Sequence, residues 1–340
     1  MRSVIVADWS EPVKFHMVDR PSRVPGPGEV RVRVQVAAVN YADALVALGR
    51  YQVRPQTPFT PGGECSGVVE MVGDGVEGFR PGDRVFATGF IGDSRENGRI
   101  IGAYAEEVTV PIANLAHIPS GMTMMSAALF RSNYETSFYA LQEGRLAGGE
   151  TLLVLGAGGA TGSAAVEIGR ALGARVIGSA SSDGRRRIAR DAGADIVIDS
   201  RSDDWRRVLQ DSAGDRGIDV VFDPIGGVLT EPAFRSLRWG GRLLVIGFAA
   251  GQIPSLPLNL PLVKGTSIIG INATRMAENE PERASSNFSR LIELYEQGQL
   301  KLPPVGREYA LEEVSQAVEM VLGNRMDGRV LIRVDARESS

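Results

Sequence analysis

An apolar run, Leu152-Leu153-Val154-Leu155, breaks into Gly156-Ala157-Gly158-Gly159-Ala160-Thr161-Gly162 and then into a helical pattern carried by Ala164, Ala165, Ile168, Ala171 and Leu172. Glycines let the backbone turn tightly and approach a phosphate closely, while a new helix offers unpaired N–H groups and the positive end of its dipole. A strand–turn–helix of this composition is built to hold a pyrophosphate. A glycine cluster alone is a weak signal; here the strand before it and the helix after it supply the context. Gly156, Gly158, Gly159, Ala160, Thr161 and Gly162 are therefore the first candidate binding residues.

The second strand, Arg175 to Ala180, leads into Ser181-Ser182-Asp183-Gly184-Arg185-Arg186-Arg187. Sheets that bind NADH place a carboxylate at the end of this strand, against the adenosine ribose 2′-hydroxyl. Ala180 falls there and cannot make that bond. A 2′-phosphate would instead meet the hydroxyls of Ser181 and Ser182 and the fork of Arg185, which favours NADPH over NADH. Asp183 keeps an NADH reading open unless it is a helix cap, and Arg185, Arg186 and Arg187 each also read as a solvated first turn of a helix.

The elements around these residues divide the chain. The first 125 residues read as mostly β, with short runs at Val30–Val39, Cys65–Val72, Arg84–Ala87 and Ala103–Val110 separated by Pro/Gly turns. From Thr151 strands at 151–155, 175–180, 195–198, 218–223, 242–247 and 266–271 alternate with helical patterns near 160–173, 183–192, 203–212 and 228–237. That alternation predicts a doubly wound parallel sheet of α/β class. The Pro- and Leu-rich stretch 248–265 has no helical period. Helices near 283–297 and 311–323 and a strand at 329–334 close the chain. A tail this short is expected to return to the first domain, giving residues 1–126 with 270–340, residues 127–269, and a cleft between them.

With 340 residues, a net charge of −4 and 43% apolar residues, the chain is sized for two domains. The charge gives no electrostatic basis for a nucleic-acid or membrane partner. Cys65 is the single cysteine, which rules out internal disulfides, and with no signal-like apolar segment a cytoplasmic setting is expected. His16 and His117 read as ordinary strand or loop residues. Met122, Met124 and Met125 read as packing before they read as a substrate wall.

Six stretches carry a resemblance: Ala38-Val39-Asn40-Tyr41-Ala42-Asp43, Gly49-Arg50-Tyr51, Pro58-Phe59-Thr60-Pro61-Gly62-Gly63-Glu64, Gly82-Asp83-Arg84-Val85, Asn133-Tyr134-Glu135-Thr136, and Gly240-Gly241-Arg242 with Ile246-Gly247-Phe248. Together with the glycine turn they resemble the zinc-free quinone oxidoreductases of the medium-chain dehydrogenase/reductase superfamily, relatives of zeta-crystallin. The resemblance covers almost the whole chain. It implies a Rossmann domain beside a mostly-β, barrel-like GroES-like catalytic domain, NADPH as cofactor and a homodimer paired through edge strands of the cofactor domains. Asn40 and Tyr51 match polar active-site positions, as donors to a substrate oxygen or, for Tyr51, of a proton. Tyr41 and Asn133 would line the substrate cleft. Thr136, Phe248 and Asn272 would border the nicotinamide. Ser200 stands where the family usually has a tyrosine near the adenosine, leaving weaker affinity or a substitute role for Arg201. Asp223 to Gly227 reads equally as a cofactor border or a structural turn.

Zinc-dependent relatives bind metal through a cysteine, a histidine before a glutamate and a later cysteine. On this chain those positions are Asn40, Gly63 and about Ser132, so no metal site is expected. Without a Lewis acid, hydride delivery suits an acceptor that is already electrophilic, a quinone or an α,β-unsaturated carbonyl. The alternatives are an enoyl thioester as substrate, or a non-catalytic NADPH-binding role. Loop 91–99 is a candidate lid.

Overall fold

The structure, a computed structural model, describes residues 1–51, 54–88, 102–302, 304–323 and 327–334; the candidate lid lies outside them. The chain divides into two units, Met1–Ser132 with Val305–Ser340, and Asn133–Pro304.

The first unit contains β1 (Arg2–Val6), β2 (Phe15–Asp19), β3 (Glu29–Ala38), α1 (Tyr41–Ala47), β4 (Glu64–Val72), β5 (Arg84–Thr88), β6 (Glu107–Pro111), β7 (Leu115–His117) and α2 (Met124–Ala128). Strand β3 alternates buried Val30, Val32 and Val34 with partly exposed Arg31, Arg33 and Gln35, the period-two pattern of a strand with one face on a core. Its antiparallel pairing with β4 places Cys65 opposite Ala37. A seven-stranded sheet results, and the last strand of the chain joins it. Met122 is buried, and Met124 and Met125 pack beside Val36, Ala38 and Leu331, so all three serve packing.

The second unit begins in the first turn of α3 (Arg131–Glu143). It continues through β8 (Thr151–Leu155), α4 (Ala160–Ala171), β9 (Arg175–Ala180), α5 (Asp183–Asp191), β10 (Ile196–Asp199), α6 (Trp205–Ala213), β11 (Ile218–Asp223), α7 (Thr230–Arg235), β12 (Leu237–Val245), α8 (Asn259–Lys264), β13 (Ser267–Gly270), α9 (Ala273–Asn279) and α10 (Pro281–Glu296). All six strands are parallel, in the order β10-β9-β8-β11-β12-β13. This is the doubly wound order with its reversal beside β8. The first unit is completed by β14 (Val305–Ala310), α11 (Val314–Leu322) and β15 (Arg329–Arg333).

Several features differ from the sequence expectation, the unpredicted helices α2, α3 and α9 among them. Helix α1 interrupts the β-rich half; at seven residues it is too short to show a clear period. It forms because Asn40 caps it and the Asn40 backbone N–H donates to Asp43 Oδ2 (2.8 Å). Residues 259–264 form a helix inside the stretch expected to have none. Residues Val305–Ala310 form strand β14, which no alternation of apolar residues predicts. Finally, residues 270–304 group with the nucleotide-type unit rather than with the tail. The physical tie is Glu167 of α4, whose Oε2 accepts from the Lys301 backbone N–H (2.8 Å) and from the Tyr134 hydroxyl (3.0 Å). Arg283 at the head of α10 also pairs with Glu143 (2.6 Å) and lies over the Tyr139 ring.

Candidate functional site

The fully buried β8 ends at Gly156, which turns the chain at φ +63. Gly159 N–H then closes the turn onto Gly156 O (2.8 Å), and extended Gly159 caps α4 without a side chain of its own. The first amides of α4, from Ala160 on, have no acceptor within the helix. Each glycine has a separate reason. A Cβ on Gly162 would stand 2.2 Å from Gly156 O, so α4 packs on the turn only without one. A Cβ on Gly158 would stand 2.3 Å from Arg185 O, so this loop abuts the first turn of α5. The Thr161 hydroxyl donates to Asn133 Oδ1 (3.1 Å), and the Ser137 hydroxyl bonds the carbonyls of Asn133 and Thr161. Asn133 is buried and thus braces the head of α4; Thr136 follows it on α3, partly exposed.

The phosphate candidates converge at the ends of β9 and β10. Ser182 caps α5 by accepting from Arg185 N–H (3.2 Å). Ser200 N–H donates to Ala180 O (3.1 Å), which brings Ser200 beside Ser181. Arg186 is committed elsewhere: it pairs with Asp183 (2.5 Å) and Asp199 (2.7 Å). Asp183 and Asp199 thus share one guanidinium, while Arg185 is partly exposed next to the glycine loop.

Asp223 is fully used in its own turn. It accepts from Ile225 N–H (2.9 Å), Gly226 N–H (2.8 Å) and the Thr230 hydroxyl (2.6 Å), which favours the structural reading of residues 223–227. Phe248 lies against this turn, its ring 2.9 Å from where a Cβ of Gly226 would sit. Asn272 is exposed and caps α9, accepting from Arg275 N–H (3.0 Å).

In the other unit, Asn40 is gripped on three sides. Besides its backbone bond to Asp43, its Nδ2 donates to Glu64 Oε1 (2.7 Å) and its Oδ1 accepts from Arg329 Nη2 (3.2 Å). Glu64 Oε2 accepts from the Ser132 N–H (2.9 Å). Glu64 and Asp43 are each 1% exposed and Arg329 6%. Burial, and secondarily the Glu64 charge, pushes the Asp43 carboxyl up to about 7. Tyr41 opens α1, half-buried. Tyr51 lies half-buried on the apolar cluster of Val6, Val46, Ala47 and Phe59; burial and then the charge of Asp43 raise its phenol. Arg329 had no local sequence signal, being 289 positions from Asn40.

Residues 26–120 match the alcohol dehydrogenase GroES-like domain and residues 160–294 the zinc-binding dehydrogenase family. Quinone oxidoreductase-like protein 2 of Bos taurus is 34% identical over 335 residues, covering 97% of this chain and 92% of that protein. The chain is a quinone oxidoreductase-like member of the medium-chain dehydrogenase/reductase superfamily. Among solved structures, an NAD-dependent alcohol dehydrogenase is 30% identical (TM-score 0.86; 98% and 100% of the two chains). The Thermus thermophilus quinone oxidoreductase, solved also as its complex with NADPH, is 28% identical (TM-score 0.81; 98% and 100%). The expected α/β class, with a Rossmann-type unit and a GroES-like unit, is therefore met. For this quinone oxidoreductase-like chain, zinc is a poor fit: Asn40, Gly63 and Ser132 offer neither thiolate nor imidazole, and Asn40 is already hydrogen-bonded. Among the described residues no cluster of three metal-ligating side chains occurs.

Proposed function

We propose that the protein is a zinc-independent, NADPH-dependent reductase that passes hydride to a quinone or an α,β-unsaturated carbonyl. The observation that carries this reading is the end of β9: Ala180 where an acid would read NADH, with Ser181, Ser182, Arg185 and Ser200 around it and Asp183 and Asp199 paired to Arg186. Gly156, Gly158, Gly159, Ala160, Thr161 and Gly162 would hold the pyrophosphate, and Thr136, Phe248 and Asn272 would lie toward the nicotinamide, which supplies the hydride when bound.

In this reading the substrate oxygen accepts a hydrogen bond from the Asn40 carboxamide, while the Tyr51 hydroxyl donates a second bond or a proton; Tyr41 and Asn133 shape the cleft. A donor aimed at developing oxyanion charge contributes about 2.7–4 kcal/mol in a dry site. Burial, and then the charge of Asp43, raises the Tyr51 phenol, which favours the protonated form a donor needs. NADPH or NADH would be mixed with benzoquinone, a vinyl ketone and crotonyl-CoA. Turnover of the quinone or ketone with NADPH is expected. Oxidation with the thioester alone would replace the substrate class, and binding without any turnover would leave a non-catalytic role. Arg185→Ala is expected to raise the KM for NADPH about tenfold with little change for NADH; equal changes would refute the phosphate role.

We also propose a homodimer. Support comes from β13, an edge strand of the six-stranded sheet, with Ile268 on it exposed, and from the exposure of Leu258, Leu262, Val263 and Trp239. Sedimentation should give twice the chain mass; a monomer at micromolar concentration would overturn it. No described helix is long and apolar enough to cross a membrane. A cytoplasmic location is consistent with a single, buried cysteine whose thiol burial pushes far up; fractionation of the native host tests it.

A further inference from the structure

The Asn40 carboxamide does not orient itself. We infer that Glu64 is the positioning residue that fixes it, acting as a buried carboxylate clamp between the cap of α1 and the Ser132 backbone. The inference rests on the proposed role of Asn40 at the substrate oxygen.

The two oxygens of Glu64 take different partners from different elements. Oε1 accepts from Asn40 Nδ2, at the cap of α1 (2.7 Å), and Oε2 accepts from the Ser132 backbone N–H in the first turn of α3 (2.9 Å). Glu64 itself opens β4, whose register against β3 is fixed by Cys65 opposite Ala37. The clamp therefore references Asn40 to the rigid sheet. Arg329 from β15 completes it by donating to Asn40 Oδ1 (3.2 Å). With oxygen and nitrogen of the carboxamide both claimed from opposite sides, its plane cannot flip. A carboxylate is needed because both partners are donors. A glutamine would satisfy one and turn an NH2 toward the other. Burial to 1% makes such a mismatch costly, since no water replaces the lost acceptor. Burial of the charge is tolerable because Arg329 lies across the same carboxamide, itself 6% exposed.

A double-mutant cycle tests this. Glu64→Gln is expected to lower kcat at least tenfold while the NADPH Kd, read by cofactor fluorescence, stays within twofold. In an Asn40→Ala background, itself expected to lower kcat about a hundredfold, Glu64→Gln should add less than a further twofold. Losses that multiply in the double variant would overturn the clamp while leaving Asn40 in place. Unchanged turnover in Asn40→Ala would overturn the proposed role of Asn40 and the inference with it. Should Glu64→Gln fail to fold, Arg329→Lys keeps the charge but loses the planar fork. It is expected to lower kcat several-fold at constant NADPH Kd, and unchanged kcat would count against the clamp.

Discussion

Gly158→Ala is expected to cost at least tenfold in NADPH affinity and several degrees in Tm. The added Cβ would stand 2.3 Å from Arg185 O and 2.5 Å from Arg185 Cβ. The obstacle is the backbone of α5, not a side-chain tip, so no rotamer change relieves it and the helix must retreat. Overpacking of this kind costs about 1–3 kcal/mol. The retreat also carries Ser182 and Arg185, the proposed phosphate ligands, away from the loop. Gly148→Ala is the control, because its Cβ meets only Leu172 O at 3.4 Å. Cofactor fluorescence and a thermal melt read both effects. Affinity within twofold of the parent protein would sink the proposed contact between this loop and the cofactor.

Asp43→Asn should remove a pH dependence of stability. The Asp43 carboxyl ordinarily titrates near 3.8 and in the folded chain near 7, raised by burial first and by the Glu64 charge next. Below pH 4 both states hold the proton and burial carries no ionic penalty. Between pH 4 and 7 the folded chain binds a proton that the unfolded chain has released, so stability falls as pH rises. Above pH 7 the folded chain carries the buried charge, a loss of up to about 4 kcal/mol. An asparagine can still accept from the Asn40 N–H and has no charge to bury. The variant should therefore match the parent at pH 4 and exceed its urea midpoint at pH 8. Parallel pH profiles would refute this assignment.

How much was legible depends on sequence separation. The glycine turn, β8 and α4 could be read because strand, loop and helix follow one another without interruption, and each constraint acts between neighbours. The parallel, doubly wound character of the six-stranded sheet followed from the same alternation, and its strand order came only with the structure. The serines and Arg185 were legible as a set, but not the commitment of Arg186 to Asp199, which lies on the next strand. Least legible was the surrounding of Asn40. Its partners Glu64 and Arg329 are 24 and 289 positions away, and only the folded sheet brings them together. The affiliation of residues 270–304 was hidden for a similar reason, since the bond from Lys301 to Glu167 spans 134 positions. Short helices α1 and α8 escaped because six or seven residues give too few turns to establish a period.

The placement of β15 bears on how the molecule is made. Strand β3 is synthesised early, yet its neighbour β15, which pairs Leu331 with Ala38, emerges only after the entire Asn133–Pro304 unit. A nascent chain must therefore leave the Val36–Ala38 end of β3 without its β15 partner while the intervening unit folds. The sheet begun by β3 is thus completed only after the intervening unit has been made, and translation that stalls before Val305 would leave it short of β14 and β15.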